Sequence, residues 1–301
     1  MSTRPTNQLD AKNWELRDII SDKRTSVCLS LDVSSWELGR ELLQLSAPFI
    51  CMVKIHPDLF SDWTREAQNE LIEMAQHGRY QIMCDQKMAD VPKIVYRQIR
   101  ADMLGLYRVA DWITIMPNNY LDVAEYLATN VASYWNGPEY LATNVASYWN
   151  GPEYLATRTT TGTQSMRPQL LLVGQMNTKS SLSNTPDFKA AVSEIILQPE
   201  YPVRAMITQL NVYHDGVLGM TPGVILNETP NPDPARYRSI RDAIIRDHNL
   251  VVILGASLLG SLADATPGTS HNTNEILAFQ TRMETAARQS WLALNEINNI
   301  N

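Results

Sequence analysis

The chain has 301 residues, 44% of them apolar, enough for one large α/β domain or two small ones and too many for a disordered protein. Its formal charge of −7, with acids and bases scattered rather than blocked, argues against a nucleic-acid or membrane-surface protein and points to a small-molecule ligand. No apolar run approaches the ~20 residues that span a bilayer, and the start MSTRPTNQLDAKNWELRD lacks a signal-peptide core, so the expected location is cytoplasmic.

From residue 25 onward, strand-like runs alternate with helical patterns. SVCLSLDV precedes SWELGRELLQL, FICMVKIH precedes DWTREAQNELIEMAQ, and YQIMCDQK precedes a helix through VYRQIRADML. DWITIMP then leads into a helix from Leu121, and QLLLVGQM into FKAAVSEII. RAMITQL, GVLGMTPGV with a helix near Ser239–Asp247, and LVVILGAS with a long helix from Asn274 complete the series. The sixth unit leaves little room for a helix. These runs are short, mostly non-alternating and rich in Val, Ile, Leu and Met, as strands covered on both sides must be. Eight such units predict a (β/α)₈ TIM barrel over 25–301, preceded by an N-terminal extension at 1–24; an open doubly wound sheet is the alternative.

Residues 125–138 and 139–152 carry the same fourteen-residue sequence, EYLATNVASYWNGP, and EYLAT follows again. Fourteen residues make about four helical turns, which Asn-Gly-Pro then breaks. The duplication reads as a helical surface insertion at about 119–168, after strand 4. A partner-binding hairpin is the other reading, since Tyr134, Trp135, Tyr148 and Trp149 are costly to expose. Cys28, Cys51 and Cys84 lie inside apolar runs without zinc-ligand spacing and read as buried structural thiols. No metal site is indicated.

Chemistry gathers at the strand ends. Asp32 follows the first strand, Lys54, His56 and Asp58 the second, and Asp85, Lys87 and Asp90 the third. By the strand period of two, Lys54 and His56 share a face, and so do Asp85 and Lys87. Taken alone, D-x-K-x-x-D also fits a surface ion-pair cluster opening a helix. Three consecutive strands delivering acids and lysines to the catalytic rim of a barrel favour function over a buried ion pair, which adds little net stability.

The segments SVCLSLDVSS, ICMVKIHPD, IMCDQKMAD, LLLVGQM, MTPGV and VVILGAS, in that order, resemble orotidine 5′-monophosphate decarboxylase, particularly its eukaryotic form. The D-x-K-x-x-D motif is shared in part with sugar-phosphate decarboxylases of the same superfamily. The resemblance implies a cofactor-free lyase of pyrimidine biosynthesis that takes a nucleotide-like substrate. It implies a catalytic network of Lys54, Asp85, Lys87 and Asp90, with Asp90 entering the neighbouring subunit's site in a homodimer. Asp32 would bind ribose hydroxyls with Lys54, and His56, Tyr237 and Gly255 would line the substrate site.

The binding positions depart from the family pattern. Ala256 stands where the family has a phosphate-gripping Arg, and Pro234-Ala235-Arg236-Tyr237 replaces G-Q-Q-Y, keeping the Tyr and placing Ala235 at the bridging Gln. Asn177 takes the place of the base-reading Ser, and Val91-Pro92-Lys93-Ile94 replaces I-G-N-T. Arg236, Arg238 and Lys179 are the cations at hand to compensate. These departures raise two alternatives: a pseudoenzyme serving as a binding or structural subunit, and a decarboxylase of a related ligand without the phosphate.

Overall fold

The computed structural model describes residues 16–101, 103–135, 168–176, 182–198, 203–209, 217–226, 237–265 and 273–298. Eight parallel strands form a closed barrel: β1 (Val27–Ser30), β2 (Met52–Ile55), β3 (Gln81–Met88), β4 (Trp112–Ile115), β5 (Gln169–Val173), β6 (Ala205–Ile207), β7 (Leu218–Thr221) and β10 (Val251–Leu254). β10 closes the ring on β1 through Val27↔Val252, Cys28↔Ile253 and Leu29↔Leu254, which settles the choice between barrel and open sheet. A two-stranded parallel pair, β8 (Val224–Ile225) and β9 (Arg238–Ser239), sits beside the barrel.

Among the described residues the α-helices are α1 (Leu16–Lys23), α2 (Trp36–Ser46), α3 (Arg65–Gly78), α4 (Pro92–Arg100), α5 (Leu106–Val109), α6 (Tyr120–Trp135), α7 (Pro186–Ile196), α8 (Ala256–Leu259) and α9 (Thr273–Asn298). Local sequence sets several of their ends. Thr64 caps α3 by accepting from Ala67 N–H at 3.3 Å. Asp62 caps α2 from outside, its carboxylate accepting from the N–H groups of Trp36 and Glu37 at 2.5 and 3.1 Å. The helix expected near Ser239–Asp247 is instead a five-residue π-helical turn, Asp242–Arg246. α4 stops at Arg100 rather than running through Leu104, and Gly105 at φ 65° starts the separate α5. Of the predicted insertion at 119–168, residues 119–135, which include α6, and 168 are described; 136–167, with Tyr148 and Trp149, lies outside the described residues.

Two apolar cores result. The larger packs the barrel's outer face against the helices, with Leu42, Leu71, Val95, Phe279 and Met283 among its members. The smaller fills the barrel itself with Cys28, Met52, Met83, Trp112, Leu171, Met220 and Val251, and Leu16, Ile19 and Ile20 of α1 close its floor. All three cysteines are free and buried as expected, and burial raises each thiol, Cys51 to about 12. No helix among the described residues is long and apolar enough to cross a membrane.

Candidate active site

Inside the barrel, side chains of one parity change from apolar to ionic as each strand climbs to its C-terminal end. Along β1 and just past its end the series is Cys28, Ser30, Asp32; along β2 and just past its end it is Met52, Lys54, His56; on β3 it begins Met83, Asp85. The register pairs Ser30 with Lys54 and Lys54 with Met83, so Lys54 stands one inward-facing step below Asp32 and Asp85. Lys54 Nζ lies 3.2 Å from Asp32 Oδ1 and 3.4 Å from Asp85 Oδ2. Lys87 Nζ donates to the same Asp85 oxygen at 2.7 Å. Ser30 Oγ donates to Asp32 Oδ2 at 2.7 Å.

Asp85 is only 7% exposed, as is fitting for the hub of this cluster. Burial alone would raise its carboxyl, but the hydrogen bond from His56 and the charges of Lys54 and Lys87 outweigh it and hold the group well below the usual carboxylate range. His56 Nε2 stands 2.8 Å from Lys54 Nζ and 3.4 Å from Asp85 Oδ2. A neutral imidazole protonated at Nδ1 accepts from the ammonium, whereas one protonated at Nε2 donates to the carboxylate; these are alternative states of one ring.

The strand carrying Asp85 and Lys87 is not regular. Cys84 pairs with Ile113 and Met88 with Ile115, so three residues of β3, Asp85 to Lys87, stand opposite the single residue Thr114 of β4. Lys87 takes up the excess by adopting a left-handed backbone, φ 46°. For a lysine this conformation costs about 1–3 kcal/mol, and such strain gathers where a side chain must be aimed. Simple alternation, the reason the sequence offered for Asp85 and Lys87 sharing a face, is therefore replaced by a bulge. Two hydrogen bonds hold it: Lys87 N–H donates to Thr114 Oγ1 at 2.7 Å, and that hydroxyl donates to Asp85 Oδ1 at 3.0 Å.

A cavity of about 570 Å³ opens over this cluster. Asp32, Lys54, His56, Asp85 and Lys87 line one side, and Tyr237, Gly255 and Ala256 are on its wall. Gly255 permits the close approach of β10 to β1, because a Cβ there would meet Ser30 Cβ at 3.1 Å. Asp90 is not brought into the cluster: it is exposed, and its carboxylate accepts from Val91 N–H at 2.7 Å. Asp58 likewise lies off the cluster, accepting from Gln86 Nε2 at 2.8 Å. Arg238 pairs with Asp247 Oδ2 at 3.4 Å and is not among the lining residues. Asn177, Lys179, Ala235 and Arg236 lie outside the described residues.

The sequence reading missed Ser30, Gln175 and Thr114. Ser30 was recoverable from its period-two relation to Asp32. Gln175 lines the cavity and its Oε1 accepts from Gln209 N–H at 3.0 Å; lying beyond the last residue of β5, it carried no charge to mark it. Thr114 is an ordinary β-branched strand residue, with nothing in its sequence neighbourhood to show that it faces a bulge.

A family model described as "Orotidine 5'-phosphate decarboxylase / HUMPS family" matches residues 25–266. The chain belongs to this family. Among characterised relatives, orotidine 5′-phosphate decarboxylase of Magnusiomyces magnusii is 28% identical over 276 residues, covering 87% of this chain and 89% of its own. That of Pichia kudriavzevii is 26% identical over 255 residues, covering 83% and 85%. Among solved structures, the Methanocaldococcus jannaschii orotidine 5′-monophosphate decarboxylase in complex with the inhibitor BMP superposes with a TM-score of 0.52 at 13% identity, covering 87% of this chain and 98% of that one. At that identity the superposition bears on the fold alone, and it agrees with the barrel described above. Family membership makes this chain a decarboxylase-type protein and directs attention to the cavity over Asp85.

Proposed function

We propose that this chain decarboxylates orotidine 5′-monophosphate to uridine 5′-monophosphate and CO₂ without a cofactor, using Lys54, Asp85 and Lys87 of one subunit and Asp90 of a second. The observation that carries the reading is Asp85 bracketed by Lys54 at 3.4 Å and Lys87 at 2.7 Å on the wall of the cavity. In the reaction the bond from C6 to the carboxylate breaks, CO₂ leaves, and the electron pair stays on C6. A cation placed where that charge develops stabilises it, and the same cation is the proton source; Lys87 fills both roles. Asp85 fixes the ammonium. Asp32, tied to Lys54 at 3.2 Å and to Ser30 at 2.7 Å, is arranged to receive ribose hydroxyls.

The test is a decarboxylation assay on wild type and Lys87→Ala beside a titration with uridine 5′-monophosphate. Lys87→Ala lowers kcat/KM by about 10²–10⁴-fold, the usual worth of a general acid. Turnover that survives the substitution refutes the assignment.

One feature supports a second reading, a ligand lacking the phosphate. Beyond Ala256, the described residues of the cavity wall near β7 and β10 are Pro222, Gly223, Val224 and Ile225, none of them cationic. Assaying orotidine beside its monophosphate separates the two: equal kcat/KM on both substrates favours the unphosphorylated ligand.

A further inference from the structure

We propose that Thr114 is a positioning residue that sets the Asp85–Lys87 pair for proton delivery; this rests on the decarboxylase reading above. Thr114 is completely buried and stands alone on β4 opposite the three bulged residues of β3. A bulge of this kind removes ladder hydrogen bonds, and a buried N–H left without an acceptor is costly. The Thr114 hydroxyl supplies the acceptor for Lys87 N–H at 2.7 Å and spends its own proton on Asp85 Oδ1 at 3.0 Å. One oxygen atom thereby holds both the backbone from which the lysine projects and the carboxylate that receives its ammonium.

The division of labour within Asp85 is equally specific. Oδ2 faces the cations, Lys87 at 2.7 Å and Lys54 at 3.4 Å, while Oδ1 takes the Thr114 proton. With Oδ1 anchored, the carboxylate cannot rotate to offer the other oxygen, so the ammonium is held at one point on the cavity wall. Thr114 itself is not among the cavity-lining residues, so it acts through Asp85 and Lys87 and not on the substrate.

Two substitutions separate the hydroxyl from the shape of the side chain. Thr114→Val keeps the β-branch and removes the hydroxyl; Thr114→Ser keeps the hydroxyl. Displacement of a reacting group by ~1 Å costs about 10²-fold in rate, so Thr114→Val lowers kcat by about 10–100-fold. Its KM stays close to that of wild type, because the ribose-facing groups on β1 and β2 are untouched, and Thr114→Ser restores most of kcat. A kcat for Thr114→Val within threefold of wild type overturns the proposal, as does a Thr114→Ser enzyme as slow as the valine variant. Hydrogen exchange at the Lys87 amide gives a readout that needs no turnover. That amide is protected in wild type and in Thr114→Ser and exchanges faster in Thr114→Val; equal protection in all three overturns the hold. An inactive wild type that keeps this exchange pattern refutes the decarboxylase reading while leaving the Thr114 clamp in place.

Discussion

Asn119 donates a side-chain hydrogen bond to the backbone carbonyl of Asp90, while the exposed Asp90 carboxylate accepts from Val91 N–H at 2.7 Å and is not part of the ion cluster of its own chain. Asn118 does the same for Ala89 at 3.4 Å. The turn after β3 is thus held so that Asp90 is presented outward. If Asp90 completes a second subunit's site, two inactive variants complement each other. Coexpressed Lys87→Ala and Asp90→Asn chains form mixed dimers in which one site of two carries both native residues, and recover about one quarter of wild-type activity by random pairing. Activity no greater than that of the separate variants shows that each site is built from one chain.

Asp85 makes stability depend on acid. Its folded carboxyl sits below the unfolded value of about 3.9, so it contributes stability above that pH and loses it as pH falls toward the folded value. Asp85→Asn, which leaves buried Lys54 with a single carboxylate, is less stable than wild type by about 3–5 kcal/mol near neutrality. The gap narrows below pH ~4. Urea unfolding at pH 7 and pH 3 measures it, and equal stability at pH 7 contradicts the assignment of Asp85 as the hub.

At the opposite end of the barrel, Lys23 donates to the carbonyls of Ala47, Gly78 and Arg79 at 2.5, 2.8 and 3.4 Å. Burial pushes its ammonium down to about 8. Between that value and the unfolded value of ~10.4 the unfolded chain binds more protons, so this residue's contribution to stability rises with pH. The stability of wild type minus that of Lys23→Met therefore grows from pH 8 upward. A difference that stays flat or shrinks over this interval shows that the three carbonyls offset the burial.

Ala256 offers a gain of function. An arginine there brings a charged hydrogen-bonding group to the cavity wall beside Gly255 and Ser257. A charge-assisted hydrogen bond is worth ~1.5–3 kcal/mol, so Ala256→Arg raises kcat/KM for the phosphorylated substrate by about 10–100-fold. Orotidine, which has no phosphate, gains nothing. The ratio of the two specificity constants is the measurement, and an unchanged ratio removes Ala256 from the phosphate site.

The barrel was legible in the sequence because strands buried on both faces read as apolar runs, and seven of the eight were bounded by recognisable helical patterns. Lys54 and Asp85 stood out because ionic residues are expensive in such runs. Other features depend on contacts between strands distant in sequence. The bulge at Asp85–Lys87 exists only in relation to the length of β4, and neither D-x-K nor W-I-T-I encodes that mismatch locally. The π-helical turn at Asp242–Arg246 carries a helical periodicity, but only Ile240 and Arg241 separate it from β9, whose Arg238–Ser239 pairs with Val224–Ile225. The role proposed for Asp90 rests on the resemblance, since its exposure on one chain reads as an ordinary surface carboxylate.

The closure of β10 on β1 also fixes the earliest point in synthesis at which the barrel can be completed. β1 is synthesised first among the barrel strands and β10 last, yet they are neighbours in the ring. Until β10 emerges, β1 has an open backbone edge, and the apolar contents of the barrel, Cys28 and Met52 among them, cannot be sealed from water. The Ser26 N–H waits longer still for its acceptor, Ser290 Oγ of α9 at 3.1 Å. The barrel's apolar contents therefore cannot be sealed before residues 251–254 have been made, and a collapsed chain that still lacks them carries the exposed edge and apolar surface on which aggregation starts.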